Sequence, residues 1–179
     1  MSPLTEAMFI NGLVLISTLE ADLGPHRKIG AFRIIRPLAT VALVIPLFLQ
    51  SPVTHGNGLL VEIAGAAAGL LCGLFISTLM RVYRSPRTGK PASAAGLPYA
   101  AAMILIVGVR AAFSYGAMHW FPAQLTTWCV AHQVSFAAIT DGLIFMAITL
   151  ALTRTLSLAG RASRLPTAST TKVAQAVNA

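Results

Sequence analysis

Negative charge is nearly missing from this sequence: five Asp and Glu stand against thirteen Lys and Arg, and all four types together make up 10% of the chain. A soluble domain covers its surface with roughly a quarter charged residues, so this composition excludes an ordinary water-soluble globule. Cysteine is equally sparse. Cys72 and Cys129 are the two present, and no CxxC occurs, which excludes a disulfide framework and a paired redox motif. The N-terminal "MSPLTEAMF" has no basic stretch, and no small-residue cleavage site follows it; its apolar run therefore reads as a retained helix, not a signal peptide. Also lacking are a nucleophile with its base and a glycine loop that could cradle a phosphate. The sequence reads as that of a non-enzyme.

What the chain does have is apolar length. Hydrophobic residues make up 56% of it, in blocks of roughly membrane-spanning size. The blocks predict an all-α, polytopic helix bundle: one transmembrane domain over residues 1–155, with spans at about 4–19, 37–53, 59–82, 97–117 and 128–153. Residues 156–179 are rich in Ser, Thr and Ala and read as a disordered polar cytoplasmic tail.

The cations fall between the blocks. Arg27, Lys28, Arg33 and Arg36 lie between the first and second, and Arg81, Arg84, Arg87 and Lys90 between the third and fourth. Arg154, Arg161, Arg164 and Lys172 follow the fifth, while "QSPVTHGNG" and "MHWFPAQLT" hold no Lys or Arg. The positive-inside rule then puts the N-terminus outside and the C-terminus in the cytoplasm of a multi-pass cell-membrane protein. Trp120 and Trp128 beside one outer connection, with Tyr83 and Tyr99 beside an inner one, suit the two interfaces. The net charge of +8 is spread over these connections, not gathered on one polar face, so the expected partners are the bilayer and its anionic headgroups, with no nucleic acid. In "GPHRKIGAFRIIRP", residues 24–37, the cations read mainly as an anchor to headgroup phosphates.

Three sets of residues carry possible chemistry. Gly65, Gly69 and Gly73 in "EIAGAAAGLLCGLF" make two GxxxG steps. Small residues at that spacing let helices approach closely, within the bundle or, as the main competing reading, at a homodimer seam; a substrate groove lined by the glycines is a third reading, and a homo-oligomer or another membrane protein is the expected partner. Arg110 and Asp141 lie inside the fourth and fifth spans. By helix rise they sit about 5 Å outside and 2 Å inside the bilayer centre, so a long arginine could reach the carboxylate of an antiparallel neighbour. Either charge alone in hydrocarbon is costly. The pair reads as a structural ion pair, with ion or proton coupling in a transporter or channel subunit as the alternative. His55, His119, His132 and Glu62 share the outer level; no two have helical ligand spacing, so they read as ordinary interfacial residues and no cofactor is expected, with a metal or haem site assembled in space as the alternative.

The order of motifs resembles the small CcdC-like membrane proteins, named for a gene found among cytochrome c maturation genes. "GAFRIIRPL" leads into a span; a glycine-rich span ends in "LMRVYR" before "SPRTGK"; then come "VGVR" and "TDGLIFMAITLALTR". The resemblance covers roughly residues 20–155 and implies Arg36, Pro37, Gly89, Arg110 and Asp141 as the family-like positions. It implies a membrane protein without an assigned molecular activity, and the missing CxxC argues against thiol transfer. The expected function is a structural or regulatory role in the membrane.

Overall fold

The structure, a computed structural model, describes residues 15–16, 18–20, 22–28, 35, 56–85 and 89–165. The spans expected at 4–19 and 37–53 lie almost wholly outside these residues, as do Arg33, Arg36, His55, Arg87 and residues 166–179. What is described is mostly helical: α1 (Asn57–Thr78), α2 (Leu97–His119), α3 (Pro122–His132) and α4 (Phe136–Ser163). Three of them, α1, α2 and α4, are long and apolar enough to cross a membrane.

Local sequence sets the helix ends. Gly56, at φ 81°, precedes α1, and the Ser77 and Thr78 hydroxyls donate back to Leu74 O and Phe75 O at its close. Pro98 lies in the first turn of α2 and Pro122 in that of α3, where a missing N–H costs nothing. Gln133 turns left-handed at φ 54° and stops α3. Ser135 then caps α4, its side chain accepting from Ala138 N at 3.1 Å. The fifth apolar block is thus cut in two. Its expected bounds, 128–153, give way to a short helix ending at His132 and a 28-residue helix from Phe136 to Ser163. At about 1.5 Å per residue α4 spans about 42 Å, more than a hydrocarbon core of about 30 Å. Residues 156–163, expected in the disordered tail, are therefore its last turns.

Helices α1 and α4 run parallel and form the main contact of the bundle. The three glycines make that approach possible. A Cβ on Gly65 would strike the Gly142 carbonyl, and one on Gly69 the Thr149 hydroxyl and the Met146 carbonyl. One on Gly73 would sit 2.8 Å from Thr153 Cβ. The GxxxG face is thus turned into the bundle, where close backbone packing replaces the hydrophobic drive that lipid cannot supply.

The all-α expectation misses a small sheet. Strands β1 (Gly24–Lys28), β2 (Met80–Arg84) and β3 (Pro91–Ala95) pair antiparallel in the order β1-β3-β2. Arg27 and Val82 both register with Ser93. The β2–β3 turn needs Gly89 at φ 62°, a conformation open to glycine. Its N–H donates to Ser85 O at 2.8 Å, and its carbonyl accepts from Arg84 Nη1 at 2.7 Å. Two of the three basic connections thereby share one end of the bundle. The core lies against this end, where Ile76, Met80, Ala95, Tyr99, Met103 and Leu150 pack together with Leu158.

Candidate functional site: a buried polar node and an adjoining cavity

The chain's few acids are placed with economy. Asp22 immediately precedes the sheet, 3% exposed, and Tyr99 is fully buried in the first turn of α2. The Tyr99 hydroxyl donates to Asp22 Oδ2 at 2.5 Å and accepts from Arg154 Nη1 at 2.6 Å. Arg154 Nη1 also forms an ion pair with Asp22 Oδ2. Three segments distant in sequence are thus joined at one point: the stretch before β1, α2 and α4. Tyr99 is aimed there because Gly96 and Pro98 start α2 directly after β3, and its ring packs in the core. A carboxylate and a guanidinium bridged by a hydroxyl satisfy one another away from water, which is what a buried pair requires to be tolerated.

Next to the node, between α2 and α4, lies a cavity of about 120 Å³. Arg154 bounds one end and Arg110 lines the other, with Met103, Val107, Met146 and Leu150 among the aliphatic residues between. At the sheet end, Arg161 Nη1 donates to Ser77 O at 2.6 Å and Arg84 Nη2 to Leu165 O at 3.3 Å. Cations thereby close the C-terminal carbonyls of α1 and α4, where the helix dipole favours them. Arg81, Lys90, Arg161 and Arg164 are exposed, while Arg27 and Lys28 belong to β1.

The sequence-predicted residues fall out as follows. Gly65, Gly69 and Gly73 meet α4. No contact joins Arg110 to Asp141 among the described residues, and the ion pair at the node is Arg154–Asp22. The cause is azimuth. Arg110 lines the cavity shared with Leu150, whereas Asp141, nine positions before Leu150, lies half a turn around α4 at about 100° per residue. Asp141 is buried on the side of Ala138 and Ile148. Glu62 is buried in α1. His119 and His132 are exposed; their Nδ1 atoms donate to Tyr115 O and Trp128 O at 3.2 and 2.9 Å, and their rings stack on Tyr115 and Trp128. Among the described residues no three His, Cys, Asp or Glu gather into a metal-binding group. Cys72 and Cys129 are free thiols.

Sequence reasoning missed the node. It took Tyr99 for an interfacial aromatic and Arg154 for a topology cation, and it passed over Asp22. The available signal was scarcity: with five acids in the chain, one beside an apolar block has to be matched to a cation. No known family model matches the chain, and comparison with curated proteins and with solved structures finds no match.

Proposed function

We propose that this chain is a multi-pass protein of the cell membrane that crosses it five times, N-terminus outside and C-terminus cytoplasmic, and serves a structural or regulatory role without catalysis of its own. The observation that carries the reading is how the interior polar groups are used. Asp22, Tyr99 and Arg154 are spent on one another, and no buried side-chain nitrogen or oxygen among the described residues lacks a partner. Such a network holds helices in register. The topology draws support from the sheet, which gathers the connections at 24–28 and 80–95 at one end. The parallel course of α1 and α4 agrees with two spans separated by one that returns. Exposed Arg81, Lys90, Arg161 and Arg164 fit a face that rests on anionic headgroups.

The test has two parts. In a Cys72→Ser, Cys129→Ser background, single cysteines at Gly56 or Phe121 should react with an impermeant maleimide added outside intact cells, and cysteines at Lys90 or Leu165 only after the membrane is opened. The reverse pattern, or no membrane fractionation, overturns the topology. Reconstituted in proteoliposomes, the wild-type chain should carry no proton or cation flux; a flux that Asp141→Asn abolishes would replace the structural reading with a coupled transporter or channel subunit.

A further inference from the structure

The sheet end of the bundle carries more cations than its own contacts use. Arg161 Nη1 holds Ser77 O at the close of α1, while Arg84 holds Gly89 O through Nη1 and Leu165 O through Nη2. Lys90 follows Gly89 in the β2–β3 turn, and Arg164 stands between Arg161 and Leu165. These contacts tie Lys90, Arg84, Arg164 and Arg161 into one basic ridge across the last turn of α4. The Lys90 and Arg164 side chains are exposed and make no hydrogen bond or ion pair among the described residues. Carboxylates are elsewhere. Glu62 and Asp141 lie toward the opposite ends of α1 and α4, about 24 and 33 Å back by helix rise. Asp22 is matched to Arg154, and Glu20, the remaining described acid, has an interaction of its own. The helix carbonyls that would repel an anion here are already closed by Arg161 and Arg84.

We propose that this ridge binds one lipid carrying two phosphates on a single glycerol bridge, a diphosphatidylglycerol, with one phosphate on Lys90 and the other on Arg161 and Arg164. Charge complementarity selects the anion, because the ridge supplies cations alone. A guanidinium has five N–H donors in a planar fork, and Arg161 gives one to Ser77 O, so the rest can meet a phosphate. Depth selects a lipid. Helix α4 outruns the hydrocarbon core, so its last turns stand at headgroup level, where basic pockets at span ends take such headgroups. Leu156 on α4 and Leu74 and Phe75 on α1 are exposed in the turns just before these cations and offer the acyl chains an apolar track. The spread of the ridge selects two phosphates. Its corners flank residues 161–165, about 6 Å along α4; once one phosphate is held, the glycerol bridge presents the second at high local concentration.

The inference rests on the membrane reading above, and Arg81 supplies its control. Met80, Val82 and Arg84 share the face of β2 turned to α4, where Met80 packs with Leu158 and Arg84 reaches Leu165; Arg81 lies on the other face. The full-length protein, purified in detergent and stripped of lipid, is titrated with diphosphatidylglycerol, phosphatidylglycerol or phosphatidylcholine and read by native mass spectrometry. One diphosphatidylglycerol should be retained per chain, at least about tenfold more tightly than phosphatidylglycerol at equal phosphate. At about 1 kcal/mol per cation, Lys90→Gln and Arg164→Gln should each weaken binding about fivefold, and Arg164→Lys should keep most of it. Both positions are exposed, so neither change threatens folding. Arg81→Gln removes the same charge from the other face and should change affinity less than about twofold. Inorganic pyrophosphate, which has no acyl chains, should not displace the lipid. Equal affinity for the two anionic lipids, an equal loss in Arg81→Gln, or displacement by pyrophosphate each overturns the proposal. A chain that does not fractionate with membranes would instead sink the membrane reading itself.

Discussion

Tyr99 stands between an anion and a cation, and its hydroxyl serves both. Each member of the node therefore has its own mutational cost. Tyr99→Phe removes the bridge but leaves Asp22 and Arg154 in contact, so the loss should be that of ordinary buried hydrogen bonds, about 1–3 kcal/mol. Asp22→Ala strips Arg154 of its counter-charge where the arginine side chain is 16% exposed, and breaking a buried pair from one side costs about 3–5 kcal/mol. The order Asp22→Ala worse than Tyr99→Phe is what chemical unfolding in detergent should return. A double-mutant cycle goes further. Asp22→Asn and Arg154→Gln should couple by more than about 1 kcal/mol, while Arg110→Gln in α2 and Asp141→Asn in α4, which do not meet, should add within about 0.5 kcal/mol. Strong coupling in the second cycle would contradict the geometry described above.

At the scale of elements, the α1–α4 contact depends on the absence of three side chains. Gly69→Leu puts atoms where the Thr149 hydroxyl and the Met146 carbonyl already are. Overpacking of this kind costs about 1–3 kcal/mol, and the two helices should separate. Gly108→Ala is the matched control: nothing lies within 4 Å of a Cβ there, and alanine should leave stability unchanged or raise it by up to about 1 kcal/mol. Thermal unfolding of the three proteins side by side checks both. This contact was legible in the sequence because GxxxG is a periodic signal written on one helix. The sheet was not. "PASAA" has neither the β-branched residues nor the alternation of a strand; it becomes one by pairing along both edges, with β1 and β2, and Ala92 and Ser93, on opposite faces of the sheet, are both fully buried. The break at Gln133–Ser135 was written locally, as a cap residue before an apolar run, but it was hidden inside a block that hydropathy alone reads as one span. Depth along a helix can be counted from sequence, so Arg110 and Asp141 were matched in height. Their azimuth relative to each other depends on which faces α2 and α4 present, and that is set by the glycine seam and the node.

For the whole molecule, charge and packing do separate jobs at the same end, and substitution can divide them. In the orientation proposed above, the basic residues choose the side of the membrane; the sheet fastens the ends of the helices to one another. Reversing the exposed cations (Arg81→Glu, Lys90→Glu and Arg164→Glu together) should leave the strands able to pair yet disturb orientation, so that a cysteine at Leu165 becomes reactive from outside in a fraction of molecules. Ser93→Pro acts on the other job. Ser93 is fully buried and lies in register with both Arg27 and Val82. A proline in this central strand deletes a ladder donor and leaves its buried acceptor short, at about 1–3 kcal/mol. The expected signature is a lower unfolding temperature with the accessibility pattern of the wild type retained. If Ser93→Pro scrambled the topology, or if the triple charge reversal lowered stability without changing orientation, the assignment of sidedness to charge and of cohesion to the sheet would be wrong.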